Sequence, residues 1–422
     1  MTFRKRPLLE WLVLLISFWS FLFDSLSLLP GPLGYLKYFP DCFLLVYLVL
    51  TLLKGQIKVQ RDLVVPFGLV TLFFLYTLFV YCVRYQSIAY YLWGFRNNFR
   101  FFVVFFAFVS VLGETDVKTW IKCVDLLFWV NFLLSVFQFL IMNLRGDYLG
   151  GIFGITKGAN ADTIVLISIV MCRSFLMTFQ GTEKIWICVL KSICSMFLIA
   201  VAELKFMFIV FVLILIGASL CTRYSWRKML LLCVAALVLF IGIRYATVLF
   251  DYKDTLSLEN LLALATKVNY SSSGDVNRLS AISSLAKNVI QNPLYQLFGM
   301  GLGNCDTSNF AVCNSVFYQQ YGHLHYTWNM SAMLFLETGY VGLCIYFMFL
   351  ISCGLCIYRK YKNGDGDRLN HQVALMMLLL CLMLVFYNAS LRVETAYMIY
   401  MVLAIPFIDS KAEYAHASML KD

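Results

Sequence analysis

The sequence predicts an all-α, polytopic integral membrane protein with about twelve transmembrane helices. Of its 422 residues, 61% are hydrophobic and only 13% are charged, and the mean hydropathy is +0.80. Soluble globular domains carry about 25% charged residues, so the chain falls outside that class. A transmembrane helix needs about 20 predominantly apolar residues, and runs of this kind recur along the chain. We therefore expect residues 1–422 to form a single integral membrane domain.

The apolar runs can be counted in chain order. The twelve runs are Leu8–Leu29, Phe39–Leu53, Leu63–Val83, Phe99–Leu112, Trp120–Met142, Ile164–Phe179, Ile185–Ala202, Phe206–Cys221, Met229–Phe250, Asn329–Ile357, Val373–Tyr387 and Val393–Ile408. Two of them, Phe39–Leu53 and Phe99–Leu112, are short, so we expect tilted or partly re-entrant helices there. The first run follows basic residues, as in a signal peptide, but it is long for an h-region and lacks a small-x-small cleavage site. We expect it to be a retained first helix.

Basic residues indicate how the spans are oriented. If the N-terminus is inside, the inside connections and termini carry nineteen of the 33 Lys and Arg residues. The short outside connections carry eight, namely Lys37, Arg84, Arg96, Arg100, Arg145, Lys157, Lys205 and Arg392. Because short cytoplasmic loops are enriched in Lys and Arg, we expect both termini inside. The net charge of +10 follows from this topology and gives no reason to invoke nucleic acid.

One long connection, residues 251–328, interrupts the spans and is expected outside the membrane. It is polar and contains a Gly-Met-Gly-Leu-Gly turn at Gly299–Gly303. Helices are predicted from Ser257 and from Asp275, because both side chains can accept the free N–H groups of a helix start. The apolar face of the second helix comprises Leu279, Ile282, Leu285, Val289 and Ile290. Pro293 is expected to end it, and both amphipathic helices would lie on the membrane surface or cap the bundle.

The sequence predicts no cofactor. It has no Cys-x-x-Cys pair or Cys/His cluster that indicates a metal, and no Gly-x-x-x-x-Gly-Lys-Ser/Thr motif for a nucleotide. Its short inside connections exclude an ATP-driven transporter that works without a partner. Most of the fourteen Cys residues lie within spans, where they act as small packing residues. Cys305 and Cys313 lie in the long connection, and the sequence leaves open whether they form a disulfide.

Charges near the membrane interface are the first candidates for a binding site, because such charges are costly and usually paired or functional. Glu203 and Lys205 share a link too short for a free loop, so they are either a snorkelling pair at a turn or part of a site. Arg84, Arg96 and Arg100 surround an aromatic stretch on an outside segment. These three arginines suit either lipid phosphates or the anionic headgroup of a substrate.

Four further candidates lie in or just after the long connection: Arg278, His323, His325 and Glu337. Because a guanidinium matches phosphate oxygens bidentately, Arg278 is either an anion clamp or a solvated arginine at a helix start. A histidine can act as a general base near neutral pH, although surface histidines without such a role are common. An acid inside a span, such as Glu337, is either functional or hydrogen-bonded to a neighbouring helix.

Four short motifs follow one another between residues 277 and 342. Asn277-Arg278 precedes Asn292-Pro293-Leu294, the Phe298–Gly303 turn and Asn329-Met-Ser-Ala-Met-Leu-Phe-Leu-Glu-Thr-Gly. In their order and spacing, and in the predicted topology, they resemble the O-antigen polymerase and O-antigen ligase superfamily of bacterial cell-envelope glycosyltransferases. Members of that superfamily have about twelve spans with a large outside loop before the tenth.

Two departures from the ligase pattern favour the polymerase branch. Ligases often carry His-Asn before the Glu-x-Gly, and here Asn329 fits, but Trp328 occupies the His position. His325, with His323 as second choice, would take its role, and His325 would share a helix face with Asn329 if the tenth span begins that early. Where members often carry Ser-Arg-Gly, this chain has Glu203-Leu-Lys205, so that Lys205 would replace the arginine.

The resemblance implies a reaction on an oligosaccharide carried by undecaprenyl pyrophosphate, at the outer face of the bacterial cytoplasmic membrane. An acceptor hydroxyl attacks the anomeric carbon and the pyrophosphate leaves, without metal or nucleotide. Arg278, Lys205 and Arg96 would neutralise the leaving group, and a histidine would take the proton. The catalytic candidates are Arg278, His325, His323 and Glu337, and the substrate-binding candidates are Lys205, Glu203, Arg84, Arg96 and Arg100. The expected partners are the lipid-linked oligosaccharide, the bilayer, a chain-length regulator and a flippase.

Other functions stay open beside the polymerase. A ligase would transfer the glycan from the lipid carrier to an acceptor. A flippase or secondary transporter would also have about twelve spans, but transporters usually show two similar halves, and this chain has seven Pro residues and no visible half-to-half symmetry. A polymerase predicts one cavity that opens outside under the long connection, whereas a transporter predicts two superimposable halves.

Overall fold

The computed structural model describes residues 7–27, 29–53, 59–222, 226–250, 274–308 and 310–419. Its α-helices are α1 Leu8–Ile16, α2 Ser20–Ser27, α3 Phe39–Leu53, α4 Val64–Arg84, α5 Ile88–Val111, α6 Glu114–Leu140, α7 Asn160–Gln180, α8 Ile185–Val201, α9 Lys205–Leu220, α10 Trp226–Phe250, α11 Ala281–Asn288, α12 Pro293–Phe298, α13 Val316–Tyr321, α14 Met330–Asn363, α15 Arg368–Tyr387 and α16 Ala396–Met419. Short 3-10 turns join several of them, and the described residues form no β-strand. The all-α prediction is therefore confirmed for this part of the chain.

Each predicted apolar run coincides with a helix or a pair of helices. Among the described residues, seven helical segments are long and apolar enough to cross a membrane, or eight if α1 and α2 form one span. The apolar helices α8, α9 and the first part of α16 are shorter, and α5 carries Arg96, Asn97, Asn98 and Arg100 at its middle. The structure thus supports a helical membrane protein, while the count of twelve spans stays a prediction.

The first apolar run is a bent pair of helices and not the single helix expected from the sequence. α1 and α2 meet at an angle of 78°. In the break, the Ser17 hydroxyl donates to the Leu14 carbonyl oxygen at 2.5 Å, and Trp19 Nε1 donates to the Lys37 carbonyl oxygen at 2.9 Å. A serine hydroxyl that bonds to the preceding turn competes with the helical hydrogen bonds and bends the helix.

Contacts among the connections divide the bundle into two ends. What we call the loop end comprises the connections 141–159, 202–204, 274–329 and 388–395. Here the Met330 N–H donates to the Asn388 carbonyl oxygen at 3.1 Å. At the opposite end, Gln180 donates to Gln372, which in turn donates to the Cys221 carbonyl oxygen, each at 3.0 Å. The connections predicted to lie outside thus contact one another, as expected when successive helices cross the membrane in alternating directions. Which end faces outside stays a prediction.

The long connection differs from its predicted form. The helix expected from Ser257 lies outside the described residues. The second helix, α11, begins at Ala281 and not after Asp275, because the Asp275 carboxylate binds His325 instead of capping a helix. Of its predicted apolar face, Leu285 and Ile290 are buried and Ile282 and Val289 pack against the same cluster, whereas Leu279 is 65% exposed.

Pro293 begins a helix and does not end one. It is the first residue of α12, a position at which its missing N–H leaves no helical hydrogen bond unmade. The Asn292 side chain caps this helix by accepting the Leu294 N–H at 2.9 Å. The expectation that Pro293 terminates α11 is therefore wrong, and α11 ends five residues earlier, at Asn288.

The helix α14 is interrupted at Gly339, where φ is 63°. The Gly-Met-Gly-Leu-Gly turn supplies hydrogen bonds at this point: Met300 N–H donates to the Leu336 carbonyl oxygen at 2.8 Å, and Gly301 N–H donates to that of Glu337 at 2.9 Å. Carbonyl groups freed by a break in a membrane helix need such partners, because no water is present to bind them. The turn and the break together form one structural joint.

The same turn also packs tightly on α5. Gly303 has φ of 76°, and a Cβ placed on it would lie 1.8 Å from the Tyr90 carbonyl oxygen. A Cβ on Gly94 would lie 2.3 Å from the Gly303 nitrogen. Glycine is required at both positions because the two backbones are in direct contact.

Candidate functional site

A partly exposed set of basic and aromatic side chains lies at the loop end, and we call it the basic–aromatic face. Its members are Lys157, Lys205, Phe206, Arg278, His325, Trp328 and Tyr387. The Arg278 guanidinium lies 4.2 Å from the centroid of the Tyr387 ring, and that ring stacks on Phe206 at 3.9 Å. Lys205 precedes Phe206 at the start of α9. The structure thus places Arg278 on an aromatic pair of which one ring, Phe206, directly follows Lys205 in the chain.

The other part of this face is built around Trp328. The His325 ring stacks on Trp328 with a centroid distance of 4.2 Å, and the Lys157 ammonium lies 5.8 Å from the Trp328 ring. Both Lys157 and Trp328 are exposed. Trp328 thus holds the ring of a nearby histidine in place.

His325 is held by a carboxylate as well as by an aromatic ring. Its Nδ1 lies 2.5 Å from Asp275 Oδ1. The backbone fixes this pairing, because Val276 N–H donates to the Leu324 carbonyl oxygen at 3.1 Å. A carboxylate that accepts a hydrogen bond from Nδ1 orients the imidazole and leaves Nε2 to accept a proton. The residues 275 and 325 therefore have the geometry of an oriented general base.

The predicted helical relation between His325 and Asn329 is not observed. α14 begins only at Met330, and His325 has a left-handed backbone with φ of 51°. The two residues therefore do not share a helix face. His323, the second choice for a base, is exposed, and its ring makes no hydrogen bond or ion pair within the described part of the chain.

Arg278 presents donors that no side chain of the described residues accepts. Its guanidinium stacks on Tyr387, and none of the carboxylates in the described ranges pairs with it. A stacked guanidinium keeps the N–H groups at its edge available for an anion, because stacking uses its face. The geometry therefore leaves Arg278 able to bind an external phosphate or carboxylate.

Glu203 and Lys205 pair with each other at the break between α8 and α9. Their Oε1 and Nζ atoms are 3.2 Å apart, and both side chains are about one-third exposed, at 34% and 36%. Glu203 has φ of 58° and lies against Gly146. The pairing agrees with the expected pair at a tight turn, and it leaves the Lys205 side chain partly exposed.

A second group of charges is buried at the loop end, and we call it the buried charge network. It comprises Asp41, Arg96, Arg100, Asp306, Glu337, Arg392 and Glu394. Arg392 NH2 lies 2.7 Å from Asp306 and 3.2 Å from both Glu337 oxygens. Burial lowers the pKa of Arg392, but the Asp306 and Glu337 carboxylates more than offset this effect and raise it. Buried charges are tolerated only when they are paired in this way.

Arg96 and Arg100 belong to this network and are already paired. Arg96 donates to Asp41 at 2.8 Å and 3.0 Å, and Arg100 donates to Glu394 at 2.8 Å and lies 3.3 Å from Asp41. Paired guanidinium groups have few donors left for a substrate. Their predicted substrate binding stays a prediction, and their position favours a role in joining α3, α5 and the connection before α16.

Glu337 occupies the centre of the network. Besides Arg392, its carboxylate accepts hydrogen bonds from the Gly303 N–H at 2.9 Å and from Asn98 Nδ2 at 3.2 Å, and its side chain is only 1% exposed. It therefore links the Gly-Met-Gly-Leu-Gly turn to α5 and to the connection 388–395. This agrees with the alternative left open for it, a hydrogen-bonded acid between helices, while its catalytic role stays a prediction.

Arg84 lies at the end of α4 and contacts the long connection. It donates to the Leu294 carbonyl oxygen at 3.4 Å, and its guanidinium lies 3.9 Å from the Tyr295 ring centroid. Contacts with α12 therefore engage Arg84, and the structure does not place it among the residues of the basic–aromatic face.

The described residues contain no group of three or more His, Cys, Asp or Glu side chains that could hold a metal ion. Cys305 and Cys313 are both free thiols in the structure, and burial raises the pKa of the Cys305 thiol. A cavity of about 290 Å³ lies among α6, α7, α8, α15 and α16, away from the loop end. The outward-opening cavity expected under the long connection stays a prediction.

Sequence reasoning missed several residues that build the site. These are Asp275 as the partner of His325, Tyr387 and Lys157 on the basic–aromatic face, and Arg392 and Asp306 in the buried charge network. Arg392 offered a signal, because it is a basic residue in a short outside connection with an acid two positions later. No signal in the sequence indicates that Asp275 binds a histidine, because a carboxylate just before a predicted helix is more simply explained as a helix cap.

Comparison with protein-family models and with curated proteins finds no match for this chain.

Proposed function

We propose that this chain is a membrane glycosyltransferase that polymerises oligosaccharide repeat units carried on undecaprenyl pyrophosphate, at the outer face of the bacterial cytoplasmic membrane. One observation carries the proposal. Arg278, which pairs with no carboxylate of the described residues, and His325, oriented by Asp275, are held by the same short segment at the loop end of a helical membrane protein. A reaction that expels a pyrophosphate and deprotonates a hydroxyl needs these two groups close together.

The leaving group would be stabilised by positive charge. As the bond between the anomeric carbon and the phosphate oxygen breaks, negative charge develops on the undecaprenyl pyrophosphate. Arg278 would bind its phosphate oxygens through the guanidinium edge, and Lys205 and Lys157 would add positive charge on the same face. Such preorganised charge often contributes more to the acceleration of a reaction than any other effect of the enzyme.

The acceptor would be activated by His325. The hydroxyl of the acceptor sugar attacks the anomeric carbon of the donor, a glycosidic bond forms, and His325 Nε2 takes the hydroxyl proton. Asp275 holds the ring and stabilises the imidazolium that results. Trp328 positions the ring by stacking, and its exposed face is available to an apolar face of a sugar. No metal or nucleotide enters this sequence of steps.

The lipid carrier fits the surroundings of this face. Its polyprenyl chain would lie in the bilayer beside the apolar helices, while the pyrophosphate reaches the loop end. In this proposal a flippase supplies the repeat units to the outer leaflet, and a chain-length regulator limits the product. The product is an O-antigen, a capsule or an exopolysaccharide.

The surface polysaccharide of a strain that lacks this gene tests the proposal. Gel profiles should show single repeat units in place of long chains, and wild-type protein expressed from a plasmid should restore the ladder. Arg278→Ala at equal expression should fail to restore it. Complete loss of attached glycan, including single units, would instead indicate the ligase, and unchanged polysaccharide in the deletion strain would reject both.

A further inference from the structure

The cavity of about 290 Å³ among α6, α7, α8, α15 and α16 is far from the basic–aromatic face. Its central charged residue is Arg173 on α7. Asp162, eleven residues earlier on the same helix, hydrogen-bonds Thr395 at the loop end. Since an α-helix rises about 1.5 Å per residue, Arg173 lies about 16 Å further along the bundle. The cavity is therefore a separate site.

The charges that line this cavity do not cancel. Lys191 pairs with two carboxylates, Asp125 at 2.6 Å and Glu183 at 2.9 Å, so these three side chains together carry one negative charge. Arg173 and Lys122 also line the cavity, and in the described ranges neither pairs with a carboxylate. Arg173 and Lys122 add two positive charges to this one negative charge, so the lining carries a net charge of +1.

The neighbours of Arg173 hold its guanidinium without saturating it. Arg173 NH1 donates to Asn370 Oδ1 at 3.0 Å, and the Asn370 amide donates to Asp409 at 2.8 Å. Asn370 therefore links the guanidinium to the Asp409 carboxylate. A charged side chain within an apolar helix is costly and often marks a ligand site or a pathway.

The rest of the lining is apolar. Nine of the sixteen lining residues are hydrophobic, among them Val170, Val402 and Ile405. A cationic group beside an apolar wall suits a ligand with an anionic head and a hydrocarbon part. Basic pockets between membrane helices bind the phosphate headgroups of anionic lipids in this way.

We propose that this cavity binds a phosphate-bearing anion, with Arg173 as its bidentate partner and Lys122 at its mouth. Two sources share this chemistry, the headgroup of an anionic phospholipid and a soluble phosphate ester. The site is independent of the basic–aromatic face and of the reaction proposed there.

Native mass spectrometry of the full-length protein, released from detergent micelles, tests the site. Wild-type protein, Arg173→Gln and Arg359→Gln are each titrated with phosphatidylglycerol and with glycerol 3-phosphate. Arg359 is the matched control, because it is an exposed arginine of α14 that does not line the cavity. Arg173→Gln should weaken binding by about 10- to 100-fold, the loss expected for a charge-assisted hydrogen bond, and Arg359→Gln should leave binding unchanged.

The two probes identify the source. Tighter binding of phosphatidylglycerol indicates a lipid, because hydrocarbon contacts add to the anion contacts, and equal affinities indicate a soluble ester. Equal binding of both probes to wild-type protein and Arg173→Gln would overturn the proposal. If Arg173→Gln does not fold, the same titrations are made with Lys122→Gln. This variant should bind the probes about 2- to 5-fold more weakly, and an unchanged affinity would reject the site.

Discussion

At the level of single residues, His325 shows how a surface side chain becomes a candidate for chemistry. A histidine on a loop is ordinarily free to rotate and has no preferred proton acceptor. Here Asp275 contacts Nδ1 and Trp328 covers one face of the ring. These two contacts fix both the ring and its tautomer, and they separate His325 from His323, which has no such partner within the described residues.

Replacing Asp275 by Asn tests this orientation. Asn keeps the size of the side chain but cannot stabilise the imidazolium, so we expect slower polymer formation from isolated lipid-linked repeat units. His325→Ala should lower the rate by about 100- to 10,000-fold, the usual contribution of a general base, and Asp275→Asn should lower it less. His323→Ala is the control and should retain the wild-type rate. A wild-type rate in the His325 and His323 double variant would remove histidine from the mechanism.

Substitutions of Arg278 provide the second test at the level of single residues. Arg278→Lys should raise the KM for the lipid-linked donor and slow the reaction, because a point charge replaces a planar fork and the stacking on Tyr387 is lost. Arg278→Ala should lower kcat/KM by about 10- to 100-fold, as expected for a lost charge-assisted hydrogen bond. Lys287→Ala, which removes an exposed charge from α11, should leave both constants unchanged. Normal chain lengths with Arg278→Ala would end its assignment as an anion clamp.

Residue types that carry the site could be predicted, but their partners could not. Lys205 stands out because a charge near the membrane interface is costly, and Arg278 and His325 stand out because their side chains suit phosphate binding and proton transfer. The partners of Arg100 and Arg96 lie 294 and 55 residues away in the chain. Nothing local in a sequence indicates such pairings, so the sequence predicts an anion on Arg96 and Arg100, either a lipid phosphate or a substrate headgroup, and does not reveal their ion pairs within the protein.

At the level of elements, the Gly-Met-Gly-Leu-Gly turn and the break in α14 depend on each other. The turn donates two N–H groups to carbonyl groups that the break frees, and Gly303 N–H binds Glu337. The Tyr76 hydroxyl lies 2.9 Å from the Phe298 carbonyl oxygen and 2.7 Å from that of Thr338, so its single proton is shared between them. A motif that stands out in the sequence for its three glycines is thus a joint that holds the long connection on the bundle.

Substituting Gly303 by Ala tests this joint. A Cβ at this position would lie 1.8 Å from the Tyr90 carbonyl oxygen, and the backbone has positive φ. We expect a loss of about 2 to 5 kcal/mol in the free energy of unfolding, measured as a lower thermal midpoint in detergent. Gly364→Ala is the matched control, because it also has positive φ but meets no atom within 4 Å, and should cost about 1 to 2 kcal/mol. Equal losses of stability in the two variants would show that the contact between Gly303 and the Tyr90 backbone does not contribute to the free energy of unfolding.

Helix starts and bends were less predictable than the helices themselves. Apolar runs locate helices because burial in a membrane requires them. The bend at Ser17 depends on a single hydroxyl, and the late start of α11 depends on Asp275 finding His325. In both cases a local hydrogen bond competes with another hydrogen bond in the folded protein. The sequence pattern does not indicate which of the two forms.

At the level of the whole molecule, the two ends of the bundle differ in their chemistry. The loop end carries the basic–aromatic face and the buried charge network, and the opposite end carries the cavity around Arg173. If the loop end faces outside, the lipid-linked donor reaches its face from the outer leaflet. The orientation of the bundle is therefore the premise of the proposed function.

Cysteine labelling tests that orientation on a background in which the fourteen native Cys residues are replaced. Val312 is 74% exposed at the loop end, and Asn363 is exposed at the opposite end. Since inside connections carry most of the Lys and Arg residues, Val312→Cys should react with a membrane-impermeant maleimide in intact cells. Asn363→Cys should react only after the membrane is opened, when both positions label fully. Labelling of position 312 from the cytoplasmic side alone would reverse the topology and remove the proposed reaction from the outer face.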